Sequence, residues 1–360
     1  MSFTWGKNVK LTIYGESHGN GVGIIIEGIK AGRSLDYDLI NRELERRRPG
    51  KKSGTTKRNE DDEFKIVSGI FNDFTNGGPL NAYFPNKDVR VKDYKQFKKK
   101  PRPSHADYPA MTKYKGFNDY RGGGFFSGRM TAPLVFAGAL SKSILKEEGI
   151  NIYSHISNLG EVIEDEHFYN LNNTDNRLKL LIQNERFMIN VDKNLEADDV
   201  LNELAKEGNS IGAKVECMAV DVPVGLGEPF FNSIESDLSS LIFSIPGIKA
   251  IEFGLGASFG QFKGSDVNDE YYYDKNTIKT FSNHNGGILG GLSTGMPILF
   301  TTTFKPTPSI SKIQRTVDIN GLSNSEISIQ GRHDSCIAIR GRVVVESVLA
   351  IVLLNFLLGK

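Results

Sequence analysis

The sequence predicts an α+β fold, a single large domain spanning residues 1–360 in which helices alternate with short antiparallel strands. Two observations carry that prediction. The strand-like segments are short and alternate apolar with polar residues, whereas a doubly wound parallel sheet would show continuous apolar runs. No internal repeat and no Pro/Ser-rich linker divides the chain.

Val9 to Tyr14 alternates, and Val22 to Ile26 resumes the pattern, so two strands flank a glycine-rich turn that carries His18. A dinucleotide fingerprint is excluded there, because Gly19, Gly21 and Gly23 have the wrong spacing and Ile24-Ile25-Ile26 continues a strand where a helix should start. Ser34 to Arg48 predicts a helix capped by Ser34 or Asp36, with Leu39, Ile40 and Leu44 on one face and three arginines at its end before Pro49-Gly50. Phe64 to Phe71 and Leu80 to Phe84 predict strands. A long polar loop follows, residues 85–115, carrying His105, and loops of that length are commonly functional.

Tyr120 to Gly124 leads into a helix reaching about Lys146, with Pro133 in its first turn. Residues 151–209 carry little functional signal and predict scaffold. Ile211 to Val224 reads as a strand, Ser233 to Phe243 as a helix, and residues 251–264 as glycine-punctuated strands. Val343 to Leu358 is shorter than a bilayer span of about 20 residues and is interrupted by Glu346, Ser347 and Asn355, so it predicts a buried terminal helix.

Composition, with 39% hydrophobic and 24% charged residues, is that of an ordinary globular protein. The formal charge of +1 conceals two basic stretches, Arg42 to Arg58 and Lys87 to Arg102, each with eight basic residues against two acids. Gathered positive charge on a near-neutral chain suits capture of a small anion. A nucleic-acid surface is the rival reading, but aromatic interleaving is sparse. Cys217 and Cys336 lack the spacing of a zinc site or a disulfide framework, which together with an unremarkable start predicts the cytoplasm and no membrane association.

Four of six histidines stand in glycine- or arginine-rich frames: Gly15 to Gly19, Arg102 to Asp107, Ser282 to Gly287 and Gly331 to Ser335. Histidine titrates near neutrality, and glycine lets a ligand approach the backbone, so these frames suit proton transfer beside a bound anion. Gly122-Gly123-Gly124, ahead of a helix start and Arg129, is either an anion cradle or a tight turn with packed phenylalanines. Lys305-Pro306-Thr307-Pro308-Ser309 offers a cation and two hydroxyls on a proline-fixed backbone, useful to a phosphate monoester. Asp334 is either a tuned carboxylate or the partner of Arg332 or Arg340 in a salt bridge. No nucleophile elbow, P-loop or zinc motif is present.

Together these segments, with Arg46 to Gly50, Asp119 to Gly124, Ser282 to Gly291 and Glu346, closely resemble the chorismate synthase family, in the family's order over nearly the whole chain. The resemblance implies an elimination of phosphate from 5-enolpyruvylshikimate 3-phosphate that requires reduced FMN (FMNH2). It implies helices sandwiched between two antiparallel sheets and a homotetramer. The monofunctional type is implied, which takes reduced flavin from an external flavin reductase, with NADPH as an indirect reductant.

By the same resemblance His18, His105, Asp334, Ser17 and Ser127 are catalytic, the histidines serving the leaving phosphate and the flavin and Asp334 the substrate proton. Arg48, Arg129 and Arg340 bind substrate. Arg47, Phe125, Phe126, Ser127, Pro246, Gly247, Gly290, Lys305, Pro306, Thr307, Pro308, Ser309 and Arg332 bind the cofactor. The chain also departs from the family pattern. Phe125-Phe126 stand where many members have arginine and serine, Ser104 where glycine is usual, Ser335 where proline often follows the aspartate, and Ser53 where some members carry a basic residue, which weakens direct binding of a nicotinamide nucleotide. The alternative enzyme class is a flavin-dependent oxidoreductase.

Overall fold

The computed structural model describes residues 3–50, 62–87, 96–168, 175–183, 186–329 and 334–360. The first sheet is antiparallel and ordered β1-β2-β3-β7-β4, from β1 (Thr4–Trp5), β2 (Lys10–Gly15), β3 (Gly21–Glu27), β4 (Lys65–Ser68) and β7 (Leu80–Pro85). Between β4 and β7 lies the hairpin of β5 (Ile70–Phe71) and β6 (Phe74–Thr75). The second sheet is ordered β11-β16-β10-β8-β9, from β8 (Asn151–Leu159), β9 (Val162–Ile163), β10 (Ala213–Val220), β11 (Ile248–Phe253) and β16 (Ile298–Phe304). Three small hairpins complete the strands: β12–β13 (Tyr271–Asp274, Thr277–Thr280), β14–β15 (Ile288–Leu289, Leu292–Ser293) and β17–β18 (Gln314–Asp318, Ser323–Ile327).

The helices are α1 (Tyr37–Arg47), α2 (Asp107–Lys113), α3 (Thr131–Glu147), α4 (Asn176–Ile182), α5 (Val191–Glu207), α6 (Ile234–Ile242), α7 (Gly264–Val267) and α8 (Ala338–Leu357). α3 packs on β3 and β7, α8 packs on β8 and β10, and the two helices pack on each other, so a helical layer separates the sheets. One apolar core runs through, from Val22, Ile24 and Ile26 on the first sheet to Val215, Cys217 and Phe300 on the second. α8 is apolar all round and buried from Ala338 to Val345 except Arg340, then through Phe356, as a helix between two sheets must be. Burial pushes the Cys336 thiol, just before α8, up to about 12, so it acts as a small apolar group. α3 and α8 touch closely at one point: a Cβ added to Gly138 would lie 2.1 Å from Ser347 Cβ.

The charged side chains inside this layer each have partners. Arg46 forks onto Glu346 at 2.6 and 2.7 Å and also reaches Glu43 at 2.8 Å, while Lys142 joins both acids. Burial alone would raise the Glu346 carboxyl, but Arg46 and Lys142 outweigh it and hold it well below the carboxylate range. Fully buried Arg342 donates to the Ser154 and Arg186 carbonyls at 3.2 and 2.8 Å.

Several expected elements are refined. Asp36, not Ser34, caps α1, its Oδ1 accepting from Leu39 N at 2.9 Å. The predicted strand 64–71 is split by Gly69, whose φ of 92° turns the chain. The polar loop 85–115 is not continuous loop, since α2 starts at Asp107. Residues 256–264 are not strand: Gly254 and Gly256 both take φ of 54°, and a 3-10 turn over Gly256–Gln261 follows. Residues 151–209 contribute β8, a paired strand of the second sheet, which is more than surface scaffold.

Candidate active site

A cleft of about 600 Å³ opens beside α8. Its walls come from the loop before α2, the glycine turn before α3, the segment entering β11, the loop leaving β16 and the start of α8. Thirteen of the residues singled out from the sequence line it: Arg47, His105, Phe125, Phe126, Ser127, Pro246, Gly247, Lys305, Thr307, Pro308, Ser309, Asp334 and Arg340.

His105 is held by its own loop. Its Nδ1 lies 2.7 Å from Asp107 Oδ1, and Asp107 is also gripped by Arg102 through Nε and Nη2, both at 2.8 Å. Burial would raise the Asp107 carboxyl, but hydrogen bonds from Arg102 and His105 outweigh it and keep it far below its ordinary value. An ionised carboxylate on Nδ1 fixes the proton there and leaves Nε2 for exchange with a ligand. Arg102 is itself steadied by the Phe97 ring, 4.5 Å from its guanidinium carbon, and by Ser309 Oγ at 3.3 Å. Ser104, where glycine is usual, adopts φ of 56°, so the loop keeps a glycine-like conformation without glycine.

The triple glycine joins the two histidines. Gly122, Gly123 and Gly124 all have positive φ, and Gly124 O accepts from Ser17 N at 3.2 Å. A Cβ on Gly122 would collide with His18 Nδ1 at 2.1 Å, and one on Gly123 would meet His105 Nε2 at 3.4 Å. His18 and Ser17 therefore lie directly behind the glycine floor; both are buried, with Ser17 Oγ 3.2 Å from His18 Nδ1. Of the two readings left open for this segment, the tight turn with packed phenylalanines is present. Phe125 stands edge-on to Phe3 and Tyr114 at centroid distances of 5.6 and 5.4 Å, and Phe126 leans on Phe125. Ser127 Oγ caps the next 3-10 turn through Arg129 N at 3.3 Å.

Asp334 forms the salt bridge considered for it, accepting from Arg340 Nη2 at 2.8 Å. Arg47 points to the cleft but is bound to Asp62 through Nε at 3.0 Å and through Nη2. Arg129 also pairs with Asp62 and donates to Asn86 Oδ1 at 3.2 Å, so its guanidinium serves acceptors of the protein and lies outside the cleft wall. Burial opposes the charge of Asp62, and Arg47 and Arg129 outweigh it, holding the carboxyl low. Arg48 caps α1; its Nε is buried without an acceptor among the described residues.

Gly290 lies in the β14–β15 turn and Pro306 is exposed, both off the cleft wall. Arg332 and His333 fall outside the described residues. His284 belongs to a loop tied by Asp269, which accepts from Ser282, His284 and Asn285 at 2.6 to 3.0 Å, so that frame is structural. Sequence reasoning missed Asp62, Asn86, Ser244 and Lys249. Asp62 and Asn86 carry no local motif, and Ser244 and Lys249 become part of the cleft only through tertiary packing.

The family model described as chorismate synthase matches residues 9–358.

The chain belongs to the chorismate synthase family.

A chorismate synthase of Pyrococcus abyssi is 44% identical over 354 residues, covering 98% of this chain and 97% of that protein. One of Dehalococcoides mccartyi strain BAV1 is 40% identical, covering 99% and 97%. A crystal structure of chorismate synthase aligns with TM-score 0.74 at 27% identity, covering 99% of this chain and 93% of that one. The mixed architecture of helices between antiparallel sheets, expected from the resemblance, is thus shared with a solved member of the family. No described helix is long and apolar enough to cross a membrane.

Proposed function

We propose that this cleft carries out the anti 1,4-elimination of phosphate from 5-enolpyruvylshikimate 3-phosphate to give chorismate, with reduced FMN as cofactor. The observation that supports it best is the placement of His18 and His105 against adjacent glycines of one turn, with Asp334 and Arg340 in the wall of the same cleft. The elimination removes a phosphate and a ring proton, so it needs proton donors, one acceptor and cations for the anionic substrate.

The residues present fit a flavin mononucleotide: Lys305, Thr307 and Ser309 gather at one lip, and Phe126, Pro246 and Ile337 give the wall apolar surface. When bound, reduced FMN supplies electron density to the substrate ring as the allylic phosphate departs. The chain's own groups do the rest. His105, its Nδ1 held by Asp107, presents Nε2 for proton transfer, and Ser17 beside His18 is placed to orient that imidazole. Asp334, paired with Arg340, is the carboxylate placed to assist removal of the substrate proton, and Ser127 is a relay hydroxyl at the cleft wall. Arg340 presents positive charge to a carboxylate of the substrate, and Arg48, at the end of α1 and off the cleft wall, adds to the positive field there.

We place the enzyme in the cytoplasm, supplied with reduced flavin by an external reductase that draws on NADPH, and assembled as a homotetramer. Phe230 and Phe231, 84% and 91% exposed, support burial against other copies of the chain. Incubation with 5-enolpyruvylshikimate 3-phosphate and dithionite-reduced FMN without oxygen tests the reading. It predicts chorismate, and no product counts against it.

A further inference from the structure

The turn that carries His18 is held from two sides, and one of the holds comes from outside the cleft. β2 and β3 form a hairpin with Gly15 opposite Val22, and its loop, residues 16–20, contains Ser17 and His18. Gly19 N donates to Glu16 O at 3.1 Å, closing a turn with Ser17 and His18 at its centre. On the cleft side, Ser17 N donates to Gly124 O at 3.2 Å and Gly122 lies against the imidazole. On the other side, β7 pairs with β3 and ends with Pro85 opposite Gly21. Asn86 continues that ladder past the strand, its N–H donating to Asn20 O at 3.1 Å. The topology thus sets Asn86 beside the base of the hairpin loop. Gly21 permits the close approach, because a Cβ there would lie 2.5 Å from Phe84 O.

The Asn86 carboxamide clamps both ends of the turn at once. Its Nδ2 donates to Glu16 O at 2.9 Å and to Gly19 O at 3.0 Å, the carbonyls of the first and last residues of the turn. Its Oδ1 accepts from Arg129 Nε at 3.2 Å, and Arg129 is itself anchored on Asp62. A guanidinium only donates and a carbonyl only accepts, so the carboxamide has a single orientation in this place. Aspartate would set an oxygen against two carbonyls, and a smaller residue would leave both ends of the turn unclamped. His18 is buried, so its ring moves when the turn moves. Asn86 lies outside the cleft wall and reaches the chemistry only through this turn.

We propose that Asn86 is a positioning residue for the elimination: it fixes the Glu16–Gly19 turn, and through it the place of the His18 imidazole, without itself touching substrate or cofactor. The proposal rests on the role given to His18 above. The glycine turn and Asn86 hold His18 from separate segments of the chain, one entering α3 and the other leaving β7. Loss of the Asn86 clamp therefore displaces His18 while the glycine floor beneath His105 stays in place.

Two variants and two readouts test it. Asn86→Asp keeps the bond to Arg129 and makes both carbonyl contacts repulsive, whereas Asn86→Ala removes all three bonds without adding charge and serves alone if the aspartate variant does not fold. In each, kcat for chorismate formation is expected to fall roughly 10- to 100-fold, with KM for the phosphate-ester substrate changed less than about 3-fold. In a His18→Ala background the same substitutions should cost less than about 2-fold. Nitrogen NMR of protein labelled at histidine follows the imidazole directly. The His18 signal, assigned by its loss in His18→Ala, should move in both variants while the His105 signal stays in place. Equal kcat in wild type and Asn86→Ala overturns the proposal. A loss as large in the His18→Ala background as in wild type also overturns it, because Asn86 would then be a general prop of the fold. Wild-type protein that makes no chorismate removes the proposed reaction, and the His18 signal then decides the positioning by itself: unmoved in both variants, it overturns the clamp.

Discussion

Gly122 stands so close against His18 that a single added Cβ would fall 2.1 Å from the imidazole Nδ1. The glycine also has φ of 58°, a left-handed backbone that other residues adopt at a cost of about 1 kcal/mol or more. Both facts tie the glycine turn to the position of one histidine. Gly122→Ala is expected to cut kcat about 100-fold by displacing His18, since shifts near 1 Å are enough for that. Steady-state kinetics checks it, and unchanged kcat would show that His18 is not positioned by this contact.

Asp107 fixes the proton on His105 Nδ1 and stays ionised throughout the neutral range. Asp107→Asn removes that charge and allows the wrong tautomer, so kcat should fall roughly 100-fold. His105→Ala should lose at least as much. A double variant no worse than His105→Ala alone would show that the two act as a unit.

Gly138→Ala tests the helical layer. The new methyl has to enter the space of Ser347, and overpacking of this kind costs about 1–3 kcal/mol. Denaturant unfolding should show the loss, whereas a midpoint equal to wild type would mean that α3 and α8 separate freely.

Away from the cleft, Glu216 accepts from His155 Nε2 at 2.7 Å and from Phe168 N at 3.1 Å, and lies 3.5 Å from His167 Nδ1. Burial pushes its carboxyl up, but the histidine hydrogen bonds prevail and bring it to about 2 from an ordinary 4.5. A depressed carboxyl stabilises the fold above its unfolded pKa and stops doing so as pH falls through the folded one. The stability difference between wild type and Glu216→Gln should thus be roughly 3 kcal/mol at neutral pH and shrink between about pH 4.5 and 2. The His167 pKa is raised by its hydrogen bond to Glu216, so its contribution runs the other way, present below about pH 6.5 and lost as pH rises. Unfolding measured across pH for both proteins checks these signs.

Local patterns carried much of the fold. α1, α3 and α6 and strands β2, β3, β7 and β10 follow from apolar periodicity and capping residues, because both act over a few neighbours. The splits at Gly69 and Gly254 were harder to read, since a glycine says that a turn is allowed and not that one occurs. At the site, the frames around His18, His105 and Asp334 were legible as motifs. Asp62 was not, because its meaning lies in gripping Arg47 and Arg129 from elsewhere in the chain. Lys249 was equally hidden: it precedes the segment read as strand, and its place on the cleft wall goes with a bulge where the β11–β16 register shifts between Ile248 and Ala250. Phe125 read as a loss of polar contacts, whereas in the fold it joins Phe3 and Tyr114 in an aromatic wall.

The central claim is that this cleft eliminates phosphate with no net oxidation of the flavin. Its most direct test measures phosphate release and flavin absorbance together, without oxygen, with the phosphate-ester substrate in large excess over reduced FMN. The account predicts many phosphates and chorismates per flavin, with the flavin still reduced at the end and the rate lost in His105→Ala. Flavin oxidised in step with substrate, or a rate indifferent to His105, would contradict it.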